Sequence, residues 1–166
     1  MSNDNPYASP SFSEPAEVEA NSVDGLKIAS QGKRFLNWFI DYIIIQALSF
    51  PVGFVVGALY ASSKAASGLP LTQADESALQ LWGILIGIVL SLSYYFITEA
   101  VLQRSIAKFV TGTMVVNSTG GSPTIGQILG RTFSRLIPFE AFSFLGGKQP
   151  VGWHDNLSGT RVIEVR

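Results

Sequence analysis

The 166-residue sequence contains no cysteine. That excludes disulfides, thiolate nucleophiles and cysteine-based zinc sites together. It has a single histidine, His154, and one imidazole without cysteine does not build a typical zinc site. Charged residues make up only 14% of the chain while hydrophobic ones reach 47%, and the mean hydropathy is positive. That balance points away from a soluble globular domain. Lys and Arg are missing from residues 1–26, which carry Asp4, Glu14, Glu17, Glu19 and Asp24. All eleven basic residues follow, alongside the other seven of the twelve acidic ones. They are too few and too closely tied to apolar segments to suggest nucleic acid as a partner. No phosphate-cradling glycine loop, nucleophile elbow or zinc-protease helix motif occurs. His154 and Asp155 are chain neighbours that point different ways, which argues against a catalytic dyad. The expectation is a protein that is not an enzyme and needs no metal or cofactor.

What the chain does have is two long apolar runs. Residues 1–26, rich in Pro, Ser and acid, read as a disordered acidic tail. They lack the basic start and apolar stretch of a signal peptide. Residues 27–166 read as one membrane domain. Its first expected span covers residues 35–60, interrupted by Pro51, and its second covers residues 78–102. Both exceed the roughly 20 residues needed to cross the hydrocarbon. Residues 61–77 read as a short polar loop. Lys27, Lys33 and Arg34 precede the first span and Arg104 and Lys108 follow the second, whereas the loop holds only Lys64. The positive-inside rule then places both ends in the cytoplasm. Gly53 and Gly57 on the first span, and Gly83 and Gly87 on the second, form small-residue faces at matching depth. Such faces let membrane helices approach closely.

A third apolar segment, residues 125–145, contains Arg131, Arg135 and Glu140 and is interrupted by Pro138. It is either a third span or an amphipathic, re-entrant helix that stays on the cytoplasmic side. Its charges, and Lys148, Arg161 and Arg166 beyond it, favour the second reading. Residues 113–117 and 160–165 read as strands that can pair if both lie on that side. The expected fold class is therefore an all-α integral membrane protein: a two-helix transmembrane hairpin, a third amphipathic, re-entrant or spanning helix, and a small cytoplasmic β element.

Asp41 stands inside the first span, where a charge costs roughly 2.5–3.5 kcal/mol on insertion scales. Arg34, seven residues earlier, shares its helix face. Near the same boundary the chain supplies four cations (Arg34, Lys108, Arg131, Arg135) and four carboxylates (Asp41, Glu99, Glu140, Asp155). Buried charges persist when paired and hydrogen-bonded. One account is structural, with these groups pinning the third segment and the tail to the helix pair. The other is a proton or cation pathway, which intramembrane carboxylates often mark. His154 adds a pH-sensitive hydrogen bond to either.

Three separated stretches carry a resemblance. Residues 32–41 read Gly-Lys-Arg-Phe-Leu-Asn-Trp-Phe-Ile-Asp, residues 130–140 read Gly-Arg-Thr-Phe-Ser-Arg-Leu-Ile-Pro-Phe-Glu, and residues 152–160 read Gly-Trp-His-Asp-Asn-Leu-Ser-Gly-Thr. Together they resemble the RDD family of bacterial membrane proteins, named for an arginine and two aspartates that match Arg34, Asp41 and Asp155. The chain departs from the family's Thr-x-Gly-Lys pattern at Ser105-Ile106-Ala107-Lys108, keeping the lysine. The resemblance implies a multi-pass protein of the bacterial inner membrane, and the basic residues give it a cytoplasmic N-terminus. It implies cation/proton transport through the Arg/Asp network as one function, the activity attributed to some members. The alternative is a non-transporting module that docks or assembles a partner membrane protein. Two spans are few for a monomeric transporter, so transport would call for a homo-oligomer in the lipid bilayer.

Overall fold

The computed structural model describes residues 22–23, 25–146 and 150–165. Most of the expected acidic tail, with Lys148 and Arg166, lies outside the described residues. At its described end β1 (Ser22–Val23) and β2 (Leu26–Lys27) form an antiparallel hairpin.

Two long helices follow. Helix α1 (Gln31–Ala66) starts where the Ser30 side chain caps the Lys33 N–H, and runs unbroken through Pro51. It extends six residues past the expected span end. Ser62 and Ser63 hydroxyls bond back to the carbonyls of Leu59 and Tyr60, so these polar residues continue the helix. Helix α2 (Gln73–Leu102) opens on a capping box between Thr72 and Asp75, five residues before the expected start. The expected polar loop of residues 61–77 therefore shrinks to residues 67–72. Asp75 also ties the two helices at this end, accepting from the Tyr60 hydroxyl at 2.5 Å and pairing with Lys64 at 2.9 Å.

At about 1.5 Å per residue the helices are roughly 54 and 45 Å long, against a hydrocarbon layer of about 30 Å. Both carry a membrane-length apolar stretch, and almost none of either stretch is covered by protein. Phe50, Phe54, Leu59, Leu81 and Val89 stand exposed. Apolar faces this long without protein cover suit lipid. Gly53, Gly57, Gly83 and Gly87 do not make the expected close contact. A methyl group added at any of them would meet nothing within 4 Å, so their backbones are not pressed against the opposite helix.

The remaining elements gather at the other end of the hairpin. They are α3 (Ile106–Thr111), β3 (Thr113–Asn117), α4 (Ile125–Ser134), a 3-10 turn (Glu140–Leu145), α5 (Trp153–Ser158) and β4 (Thr160–Glu164). Strands β3 and β4 pair antiparallel, from Thr113 opposite Glu164 to Asn117 opposite Thr160. Ile28 bridges to Ile163, which brings the chain start onto the same sheet. Ala29, Val115 and Val162 form a small dry core between them. The third apolar segment is not one helix. Helix α4 is ten residues long, about 15 Å and too short to cross a bilayer. It ends before Pro138, which offers no N–H, and Phe139 turns the chain with φ +65°.

Candidate functional site in a buried charge network

Only four residues of α1 are buried: Arg34, Asn37, Asp41 and Ile45. Their spacing of three and four places them on one face, and that face is mostly polar. Helix α2 contributes Tyr95 and Glu99 one turn apart, α3 contributes Ala107 and Lys108, and α4 contributes Ile128, Arg131 and Thr132. The outward sides of these elements are apolar instead, with Ile106, Phe109, Ile125, Leu129 and Phe133 exposed. Polar residues inside and apolar ones outside invert the pattern of a soluble domain.

Arg131 is the centre of the network. It is wholly buried, and its Nε donates to Glu99 Oε2 at 3.1 Å. Its Nη1 donates to Asp155 Oδ1 and to the Thr160 hydroxyl. Glu99 Oε1 accepts in addition from Arg135 Nη2 at 2.7 Å and Lys108 Nζ at 3.1 Å. Asp155 Oδ2 accepts from Arg34 Nη1 at 2.5 Å and from the Gly152 N–H at 3.3 Å. Two carboxylates from α2 and α5 are thereby held by four cations from α1, α3, α4 and the segment after it. The Arg135 guanidinium also lies over the Tyr95 ring, 3.9 Å from its centre.

The expected partnership of Arg34 with Asp41 does not form. Sharing a helix face sets both side chains towards α3 and α5, and Arg34 takes Asp155 across the fold. Asp41 is held by neutral donors: the Tyr94 hydroxyl at 2.6 Å, the Ser105 hydroxyl at 2.5 Å and the Ala107 N–H at 3.2 Å. Glu140 likewise does not join the arginines. It accepts from the His154 ring and, at 3.2 Å, from the His154 N–H. The eight expected charged residues thus come together as a paired core of six, with Asp41 and Glu140 beside it.

Tyr94, Ser105, Asn37 and Thr160 were not foreseen as members. Asn37 donates to the Thr113 hydroxyl at 3.0 Å and accepts from Thr111 at 2.5 Å. The small residues at 105 and 107 were a usable signal, since both are wholly buried where Asp41 meets α3.

Outside the spans, the electrostatics follow from the pairing. Burial alone would raise the Asp155 pKa, but Arg34, His154 and Arg131 hold it well below the usual carboxylate range. Burial opposes the Arg131 charge, and Glu99 and Asp155 more than offset that, raising its pKa. Burial lowers the pKa of Lys108 against the pull of Glu99. It also lowers that of His154 despite nearby Asp155 and Glu140. Among the described residues, no group of three or more His, Asp or Glu is arranged to hold a metal ion.

These features define a protein with two apolar helices able to cross a membrane and a polar, ion-paired interior at one end of them. The RDD family model matches residues 28–157, and the chain belongs to the RDD family. It is 30% identical over 140 residues to the uncharacterised protein YxaI of Bacillus subtilis strain 168, covering 78% of this chain and 93% of that protein. No solved structure matches.

Proposed function

We propose that this chain is a multi-pass inner-membrane module in which the buried charges act as a latch, fastening the α3–β4 unit to the helix hairpin. In this reading Lys27, Lys33, Arg104 and Lys108 mark the cytoplasmic end. The short α4 lies at the membrane surface with Ile125, Leu129 and Phe133 in the interfacial layer. The module serves by docking in the bilayer with a membrane partner or a second copy, and it performs no catalytic step. One observation carries the reading: every carboxylate oxygen of Asp41, Glu99 and Asp155 already accepts a hydrogen bond from the protein. A cation passing through would find no open ligand among them.

Cation/proton movement remains the second reading, and Asp41 is the observation in its favour. It is buried, lies on a cavity wall and has no cation within ion-pair distance among the described residues. One assay separates the two. Reconstituted into liposomes under a pH gradient, the latch module shows no Na⁺, K⁺ or Li⁺ flux above empty vesicles. Flux that Asp41→Asn abolishes while the protein stays folded and inserted would install the transport reading instead.

A further inference from the structure

A cavity of about 440 Å³ lies between α1 and α2, closed at one end by the charge network. Its lining is polarised along the helices. Arg34, Lys108 and Arg135 line the network end, with Asp41, Glu140 and His154 beside them. Ile45, Ile84, Ile88 and Leu92 line the far end. Arg34 and Ile45 are eleven residues apart on one helix, so the cavity extends about 16 Å from charge to hydrocarbon.

We propose that this cavity binds one anionic phospholipid, its phosphate held by Arg34 and Arg135 and one acyl chain laid along Ile45, Ile84 and Ile88. The first argument is the balance of donors and acceptors. Arg34 Nη2 and Arg135 Nη1 are buried without a hydrogen-bond partner, and the Arg34 side chain is 5% exposed. An unpaired buried guanidinium N–H is costly, and a phosphate oxygen is the acceptor that fits its fork. Of the acidic groups facing the cavity, Asp41 is engaged through both oxygens and Glu140 through Oε1. Asp41 accepts from three donors, and Glu140 accepts from His154 and Ser143. At Asp41 a cation would meet oxygens that are already bonded, whereas Arg34 and Arg135, on the cavity wall, each hold one unpaired nitrogen that a small turn of the guanidinium brings to an anion.

The second argument is access. Tyr42, Ile84 and Ile88 line the cavity and are themselves exposed, so it opens along the apolar helices. A lipid can therefore enter sideways from the bilayer. The volume falls within the roughly 300–1,000 Å³ of small-ligand sites, room for a headgroup and the start of one chain while the rest stays in the membrane.

The test is native mass spectrometry of the full chain released from bilayers of equal phosphatidylglycerol and phosphatidylcholine. One phosphatidylglycerol per chain is expected to be retained in preference to phosphatidylcholine. Arg135→Gln should lower that retention about tenfold, the worth of one charged hydrogen bond. Ile88→Trp, which fills the apolar end and leaves every charge in place, should lower it as much without altering the thermal midpoint of the lipid-free protein. Equal retention of both lipids, no retained lipid, or retention unchanged by Ile88→Trp would overturn the proposal. So would binding of glycerol 3-phosphate in solution without retention of the lipid, since the source would then be a free phosphate. None of these outcomes depends on whether ions move.

Discussion

Arg131 has no exposed surface, and the nitrogens it uses reach Glu99 on α2, Asp155 on α5 and Thr160 on β4. Replacing it with Met leaves two buried carboxylates each short of a cation. Breaking a buried pair from one side costs about 3–5 kcal/mol. Arg131→Met should therefore lower the unfolding free energy in detergent by that amount. Arg131→Lys should recover little, because an ammonium lacks the fork that serves two carboxylates. An Arg131→Met protein as stable as wild type would remove Arg131 from the centre.

His154 gives the latch its pH dependence. Its folded pKa lies below the ordinary 6.5, chiefly through burial. As pH falls from about 6.5, the unfolded chain takes up this proton while the folded one resists, so stability is lost on acidification. Asp155, held below its ordinary 3.8 by Arg34, His154 and Arg131, has the same sign in a lower window. Its contribution is full above about 3.8 and fades as pH falls further. Denaturant titrations should show two stages of acid destabilisation, and His154→Gln should remove the upper one and weaken the lower, since His154 is one of the groups holding Asp155 down. The charged residues themselves were legible, since charge in an apolar run has to be used. Their pairing was not. A spacing of seven sets Arg34 and Asp41 on one face but says nothing of what packs opposite, and Asp155 lies 121 residues from Arg34.

At the scale of elements, hydropathy located both long helices because their apolar faces are left without protein cover. The helices run past the expected spans through the serines and the Thr72–Asp75 box, polar residues that extend or start helices through local hydrogen bonds. The glycines mislead for a related reason: spacing defines a face, and only the packed structure says whether anything touches it. Gly57→Ala and Gly83→Ala should thus be neutral or raise stability by up to about 1 kcal/mol, the helix-propensity gain. A loss above about 1 kcal/mol in either would restore the close-contact reading. Helix α4 shows the opposite case. Its charges are the buried side, so Arg131 turns inward while Leu129 and Phe133 face out.

For the whole molecule, cohesion comes from polar groups enclosed by an apolar exterior. Among the described residues the apolar core cluster is small, Ala29, Val115 and Val162, and Glu99 and Asp155 join the hairpin, α4 and α5 through ion pairs. If those charges are a latch, elements remote in sequence are energetically coupled through them. The direct measurement is a double-mutant cycle on Arg34→Gln and Asp155→Asn, read by unfolding of the purified protein in detergent. The latch predicts a coupling energy of about 1.5 kcal/mol or more, within the range of directly contacting charged groups. Effects that simply add, to within about 0.5 kcal/mol, would contradict it.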